Sequence, residues 1–417
     1  MMKNRALLAD MKQKSVSKFG RIIVLTGARQ TGKTTLVRSG FGDYAYLSLE
    51  DPVVRPDFLA LSAVQWQQQY PVAILDEVQK APGLVESIKA TYDEYPNTRY
   101  ILLGSSQILL MEKIRESLAG RVSLVELYPL TFPEMRTDSW DDPVAESRLI
   151  EWLRNGTPVD FLAGIPAREK RYGRVRQLLE DYLQFGAMPA LVDESVEVEE
   201  KYEWLSNYIQ TYLQRDVRDL ANFRELEPFV RAQRTLSELT GGILNLARLA
   251  NQAGITAKTA KRFVRYLEIS YQIILLQPWF RNVNKRLSKS PKIHFVDPGV
   301  QRALLGRRGL PTGGEFESAV ISEVYKQAKN SRLPVTFYHL RTADGREVDL
   351  LLEIEAGFIP IEIKMTERVS YGDARHLRRL NDILDKPVLH ALVLSNDGRI
   401  QKLGEGITAV PIAWFLG

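Results

Sequence analysis

The sequence predicts an α/β protein of more than one domain, with a parallel-sheet module at the N-terminus, a helical middle and a second α/β module at the C-terminus. Three observations predict it. The runs Arg21–Thr26, Val72–Leu75 and Tyr100–Leu103 are short and apolar with no polar alternation, the pattern of strands buried on both faces of a parallel sheet. From Arg174 to Leu267 apolar residues recur at helical spacing instead. After Leu310-Pro311-Thr312-Gly313-Gly314 the texture changes again, to one helix and then strands. A chain of 417 residues with 45% hydrophobic residues is long enough for two or three cores, because single cores stop growing near ~250–300 residues. The breaks place the units at residues 1–172, 173–235, 236–310 and 311–417.

Composition narrows the chemistry. There is no cysteine, which excludes disulfides, thiolate zinc sites and cysteine nucleophiles together. The histidines His294, His339, His376 and His390 are scattered, so no histidine-rich metal site is visible. Residues Met1–Lys14 carry charge but no apolar run of signal-peptide length, and no stretch approaches the ~18 apolar residues of a membrane span. A cytoplasmic protein without a membrane partner is expected. A net charge of +5 and a pI of about 9.1 permit nucleic-acid binding without demanding it. Its distribution says more: residues 258–308 hold Lys258, Lys261, Arg262, Arg265, Lys285 and Arg286 among other cations, against only Glu268 and Asp297.

The strand Arg21–Thr26 runs directly into Gly27-Ala28-Arg29-Gln30-Thr31-Gly32-Lys33-Thr34, a GxxxxGKT motif followed by Thr35. Gly27 and Gly32 let the backbone curl so that its N–H groups meet phosphate oxygens, and the helix beginning near Lys33 adds its positive dipole end. Lys33 would reach the β- and γ-phosphates of ATP, and the Thr34 hydroxyl would bind Mg²⁺. The run Val72–Leu75 ends in Asp76-Glu77, which a parallel sheet delivers to the same rim. Asp76 would hold Mg²⁺ and Glu77 would polarise the attacking water; the alternative is an acidic strand end that caps a helix. A third strand ends at Ser105, placed either to orient that water or to cap the helix from Gln107 to Leu118.

The strings GARQTGKTTL, YLSLEDP, ILDEVQKAP, LLGSSQILLMEKIRESLAGR and LYPLTFPEM resemble the large prokaryotic family of AAA+-type ATPases whose C-terminal half is a DUF4143 domain. YLQFGAMPALV, YLQRDV and SPKIHFVDPGVQRALLG extend the resemblance over nearly the whole chain. It implies a P-loop ATPase core and says little about biological role. In ring-forming ATPases of the AAA+ type an arginine finger follows the helix after the third strand, and Arg121 occupies the matching place. It would complete a neighbouring subunit's site, which implies a homo-oligomer; the other reading is a surface arginine after a glycine C-cap.

The helices Val175–Phe185 and Val198–Leu220 are expected to form a lid over the nucleotide, with Arg215 and Arg218 either touching phosphate or simply solvated. Leu246–Ala253, the turn Gly254-Ile255 and Thr256–Leu267 read as a helix-turn-helix, and Ile273–Leu276 with Ile293–Val296 as the two strands of a wing. Lys258, Lys261, Arg262 and Arg265 would project from the second helix toward DNA phosphates, with Lys285 and Arg286 in the basic connection between the strands. Winged helices also dock proteins, so the fold alone leaves DNA and a protein partner open.

Beyond residue 311 the pattern gives a helix (Glu315–Asn330), strands at Val335–Arg341, Glu347–Ile354 and Phe358–Lys364, a helix at Gly372–Leu384 and a last strand at Leu389–Leu394. Asp349 lies in the second strand, and Glu362 and Lys364 alternate along the third, so their side chains share one face. That order of elements with D…ExK resembles the core of PD-(D/E)xK nucleases. Asp349, Glu362 and Glu317, with Glu323 competing for the last place, would bind Mg²⁺, and Lys364 would activate a water. The plainer reading is a set of strand acids facing solvent or paired with Arg341 and Arg346. The expected function is an Mg²⁺-dependent ATPase that binds DNA and presents a nuclease-like domain to it. The alternative is a nucleotide-dependent switch or adaptor for a protein partner with an inactive C-terminal scaffold.

Overall fold

The apolar runs of the N-terminal third become β1 (Ile22–Thr26), β2 (Ala45–Ser48), β3 (Val72–Asp76), β4 (Arg99–Leu103) and β5 (Val122–Glu126). In the computed structural model, which describes residues 2–104, 118–158, 160, 170–213, 226–282 and 289–417, these strands pair in parallel in the order β2-β3-β4-β1-β5. β1 is buried throughout, and strand alternation divides its side chains between two cores. Ile22 and Val24 pack with Trp66, Leu84 and Ile88 on one face, and Ile23 and Leu25 with Leu7, Met11, Leu36 and Val37 on the other. Only β4 separates β1 from β3, so the loops leaving their carboxyl ends emerge as neighbours.

A second, mixed sheet has eight strands in the order β12-β13-β11-β10-β9-β8-β6-β7. β6 (Ile273–Pro278) and β7 (Lys292–Phe295) form an antiparallel pair, and β8 (Thr336–Arg341), β9 (Glu347–Ile354) and β10 (Gly357–Lys364) an antiparallel meander. β11 (Ala391–Ser395) runs parallel to β10, and β12 (Gln401–Gly404) and β13 (Ile407–Pro411) complete the far edge. β6 joins β8 through two residue pairs only, Gln277 with Tyr338 and Pro278 with His339, so strands from both sides of residue 311 share one sheet.

The middle of the chain supplies the helices Val198–Tyr208, Glu227–Glu238, Leu246–Ala253, Ala257–Ile269 and Pro298–Leu304, which share a core with the β6–β7 pair. Gly254 ends the third of these at φ 68°, a left-handed cap that suits glycine. Two of the strings behind the family resemblance meet in space: the Asp297 carboxylate accepts from the Ala187 and Val300 N–H groups at 2.8 and 3.0 Å. A Cβ on Gly299 would come to 2.0 Å from the Phe185 carbonyl oxygen, so glycine is required there.

The helix Gly313–Asn330 opens with a capping box between Thr312 and Glu315 and is buried on nearly every side, because it packs between the second sheet and the N-terminal module. Two elements differ from the sequence expectation. The helix expected at Gly372–Leu384 is instead two 3₁₀ turns, Tyr371–Leu377 and Leu380–Asp382. Its buried residues Ala374, Leu377 and Leu380 recur every third position, the spacing that a 3₁₀ turn, not an α-helix, stacks on one face. The helix from Val198 leaves α geometry after Tyr208 for a π turn at Ile209–Leu213; Arg215 and Arg218 lie outside the described residues.

Candidate functional site

β1 feeds Gly27 at φ 148°, where an added Cβ would lie 2.2 Å from the Leu127 carbonyl oxygen, so the loop packs directly on the main chain after β5. Gly32 closes the loop at φ 89° and is the N-cap of the helix Lys33–Gly40. It has no side chain to cap with, which leaves the first N–H groups of that helix for an anion. Lys33 Nζ donates to the Gly27 and Ala28 carbonyls at 2.9 and 2.7 Å, and Thr31 Oγ1 donates to Ala28 O at 2.8 Å. Gln30 adopts φ 63°, the carbonyl of Arg29 accepts from Tyr208 at 3.2 Å, and Thr35 is exposed on the following turn.

The strand ends bring the predicted partners together. Thr34 Oγ1 donates to Asp76 Oδ2 at 2.9 Å, Tyr46 OH to the same oxygen at 2.6 Å, and the Glu77 N–H to Asp76 Oδ1 at 2.9 Å. Burial, and then the bond to Asp76, push the Tyr46 hydroxyl well above the usual tyrosine range, so it stays a donor. Glu77 sits at φ 59°, a left-handed conformation uncommon for a residue with a side chain, and its carboxylate accepts from the Gln79 amide. The cradle, the helix N-terminus and the Lys33 ammonium fit a phosphate chain. The adjoining Thr34 hydroxyl and Asp76 carboxylate are the oxygen donors that Mg²⁺ takes.

Sequence reasoning missed what supports this site. Arg5 is buried; it donates to Thr31 O at 3.2 Å and Tyr128 O at 2.5 Å, and its Nε lies 3.3 Å from Glu134 Oε1. Glu134 also accepts from the Ala6 and Thr131 N–H groups at 2.9 Å each and from Asn330 at 3.3 Å. Tyr271, at φ 60°, shares a 2.7 Å hydrogen bond with Thr26 at the end of β1 and donates to Glu126 at 3.1 Å. Glu134 was legible as the third position of the capping box in LTFPEM; nothing local marks Arg5 or Tyr271.

Arg121 forks onto Asp93 of its own chain at 2.6 and 3.0 Å, with a third of its side chain exposed. Ser105 lies outside the described residues. On the helix Ala257–Ile269, capped by the Thr256 hydroxyl, Lys258, Lys261, Arg262 and Arg265 are all exposed, and Arg265 pairs with Glu268 at 2.7 Å. Lys285 and Arg286 lie outside the described residues.

In the second sheet, Asp349 accepts from the Ile363 N–H at 2.9 Å, and Lys364 donates to Glu362 at 2.5 Å. Between the acids stands a lysine from β7. Lys292, only 3% exposed, places Nζ 2.8 Å from Glu347, 3.1 Å from Glu317 and 3.9 Å from Asp349. Burial favours its neutral form, but the surrounding carboxylates outweigh it and hold the ammonium charged above the usual lysine range. Four carboxyls, Glu317, Glu347, Asp349 and Glu362, face two ammoniums, Lys292 and Lys364. The surplus charge explains why Glu317 and Glu362 are each pushed up to about 7, by burial first and the neighbouring Asp349 second.

Among the described residues no three histidine, aspartate or glutamate side chains converge closely enough to hold a metal ion. Glu317, expected as a ligand, is committed to Lys292. Glu323, its competitor, is committed elsewhere: it accepts from the Phe132 N–H and the Gln327 amide at 2.7 Å each and pairs with Lys326 at 3.0 Å. As arranged, these acids hold the Lys292 and Lys364 ammoniums.

Comparison with known proteins assigns domains to three stretches of the chain. An AAA domain matches residues 20–136, a domain of unknown function (DUF8612) residues 176–310, and a second (DUF4143) residues 312–415. No described helix is long and apolar enough to cross a membrane. Among solved structures the Walker-type ATPase paby2304 of Pyrococcus abyssi is similar at 15% identity and a TM-score of 0.45, over 72% of this chain and 94% of that one. An uncharacterized protein of Haemophilus influenzae is 20% identical over 79% of each chain. The uncharacterized protein Rv2008c of Mycobacterium tuberculosis is 30% identical over 84% of this chain and 71% of its own. The chain belongs to the same family as that mycobacterial protein, and its own organisation is an AAA domain followed by a C-terminal DUF4143 domain.

Proposed function

We propose that this protein is a cytoplasmic, Mg²⁺-dependent ATPase that works as a homo-oligomer and acts on DNA. The observation that supports it most directly is the cluster at the sheet rim, where Lys33 folds back onto the Gly27 and Ala28 carbonyls of the loop while the Thr34 hydroxyl and the Glu77 N–H both donate to the Asp76 carboxylate. The bent loop and Lys33 would bind the phosphates of ATP. Thr34 and Asp76 would hold Mg²⁺, which supplies charge neutralisation when bound. Glu77 would orient the attacking water and accept its proton. Lys33→Ala should abolish nucleotide binding, and Glu77→Gln should bind ATP without turning it over; ATP turnover equal to the parent's in either variant overturns the assignment.

The exposed cations of the helix Ala257–Ile269 would neutralise DNA phosphates. DNA affinity should fall with salt, and Lys261→Ala with Arg262→Ala should weaken it and flatten that salt slope by about two charges. Arg121, released from Asp93, would reach a neighbouring subunit's nucleotide. The second sheet enters as a scaffold, because Lys292 pairs with Glu317 and stands 3.9 Å from Asp349 while Lys364 pairs with Glu362. Cleavage of linear, branched or single-stranded DNA with Mn²⁺ that disappears in Asp349→Ala and Lys364→Ala would reinstate the nuclease. A protein-partner switch is the second reading, favoured by the same occupied cluster. It predicts ATP hydrolysis that a protein stimulates and DNA does not.

A further inference from the structure

Upstream of Gln277, β6 and β8 are no longer paired, and a cavity of about 600 Å³ opens beside them. That size lies within the roughly 300–1,000 Å³ range of small-ligand sites. Its walls come from the end of β5, the last turns of the helix Ala257–Ile269, β6, the helix Gly313–Asn330 and β8, so all three matched regions of the chain meet there. The walls are aromatic. The Tyr128 ring stands edge-on to Tyr271 at 5.6 Å and to Tyr325 at 5.7 Å, Tyr325 tilts over Phe337 at 5.0 Å, and Tyr266 is half-exposed nearby. Half-buried Glu126 takes the Tyr128 and Tyr271 hydroxyls at 3.1 Å each. Exposed Arg265 and Lys329 line the opening, with Lys329 Nζ 5.3 Å from the Tyr325 ring centre.

We propose that this cavity receives a nucleobase: an unpaired DNA base stacks among the tyrosines, its exocyclic amine donates to Glu126, and its phosphate meets Arg265 and Lys329. Each part of the lining argues for that chemistry. Aromatic walls favour a flat ring over an aliphatic chain. A carboxylate repels a phosphate or carboxylate head and accepts N–H donors. At the mouth Lys329, and Arg265 once it turns from its 2.7 Å pair with the neighbouring Glu268, suit the anionic end of the same ligand. The inference rests on the DNA reading above, because Lys258, Lys261 and Arg262 lie on the helix whose later turns carry Arg265 and Tyr266 to the cavity. It adds a consequence: the base would press on Tyr271, which is bonded to Thr26 immediately before the P-loop.

The test titrates the full chain, at one salt concentration, with two DNA duplexes that differ at a single position, an extrahelical adenine in one and an abasic site in the other. The adenine duplex should bind about tenfold more tightly, as expected for one stacked base. That advantage should vanish in Tyr325→Ala and in Tyr266→Ala, the latter half-exposed at the edge of the helical core and so the milder truncation. A second arm titrates deoxyadenosine monophosphate into Lys33→Ala protein. Equal duplex affinities together with Tyr266-dependent monophosphate binding would support the nucleobase site and assign it to a free nucleotide. No discrimination in either arm, or an adenine advantage that survives both tyrosine variants, overturns the proposal. Failure of the DNA reading shows separately, as abasic-duplex affinity unchanged by Lys261→Ala with Arg262→Ala.

Discussion

Arg5→Met isolates the support beneath the P-loop. The guanidinium donates to two main-chain carbonyls, those of Thr31 and Tyr128, and pairs with Glu134 at 3.3 Å, all away from water. Methionine fills much of the volume and restores none of these bonds. Hydrogen bonds from a charged group contribute about 1.5–3 kcal/mol each, and stranding one partner of a buried ion pair costs about 3–5 kcal/mol. These terms overlap, and Glu134 keeps the Ala6 and Thr131 N–H groups and the Asn330 amide as donors. A loss of about 4 kcal/mol is therefore expected, below the simple sum. Urea unfolding gives the stability, and a fluorescent ATP analogue gives the affinity, which should fall about tenfold, ~1.4 kcal/mol, as the Thr31 carbonyl is released. Adding Glu134→Gln removes the stranded charge and should recover roughly 1–2 kcal/mol. A stability change under about 1 kcal/mol, or full ATP affinity in a destabilised Arg5→Met, would show that Arg5 does not hold the loop.

The acidic cluster should titrate as a unit. Glu317 and Glu362 are raised from 4.5 to about 7, so the folded state binds protons more tightly than the unfolded chain. Their contribution is fully present below about pH 4.5 and is lost as pH rises through about 7, on the order of 1–3 kcal/mol, and a parent pH profile no steeper than that of Glu362→Gln would contradict it. Lys292→Met should cost about 3–5 kcal/mol at pH 8 and less at pH 5.5, and should create Mn²⁺ binding that Asp349→Asn abolishes; Asp349-dependent Mn²⁺ binding in the parent would refute the resident-lysine account. Tyr271→Phe keeps the ring and deletes the hydroxyl, so it should cost about 1 kcal/mol and uncouple DNA from ATP turnover, whereas intact DNA stimulation would remove Tyr271 from the link.

What was legible in the sequence was local. Gly27, Gly32, Lys33 and Thr34 sit within eight residues, and Asp76-Glu77 is announced by the strand before it. The turn at Gly254 was equally readable, as were the shared faces of Glu362 and Lys364, because each depends on a backbone period. The missed residues act across the chain. Lys292 meets Glu347 because β7 is joined to the second sheet through β6, a pairing that no local pattern encodes. In the sequence it is one more cation in a basic stretch. Arg5 reaches Thr31, Tyr128 and Glu134 from a segment that reads as a polar N-terminus. The 3₁₀ turns at Tyr371–Leu377 and Leu380–Asp382 were misread because a three-residue apolar spacing was assigned to an α-helix.

The helix Gly313–Asn330 explains why these distant residues belong to one frame. Its 18 residues span about 27 Å, with Glu317 near one end on Lys292 and Glu323, Lys326 and Asn330 toward the other on Phe132, Leu130 and Glu134. Glu134 continues through Arg5 to Thr31 in the P-loop. These junctions are polar and buried, and that choice has a mechanical consequence. Apolar faces of similar size can slide and repack at little cost, whereas a buried Lys326–Glu323 pair with carbonyl and N–H partners has one satisfactory arrangement. A shift of the 130–134 segment would strand a buried charge, so it moves with the helix or not at all. The P-loop and the acidic cluster are therefore held by opposite ends of one rod, and the C-terminal sheet is part of the frame of the ATP site.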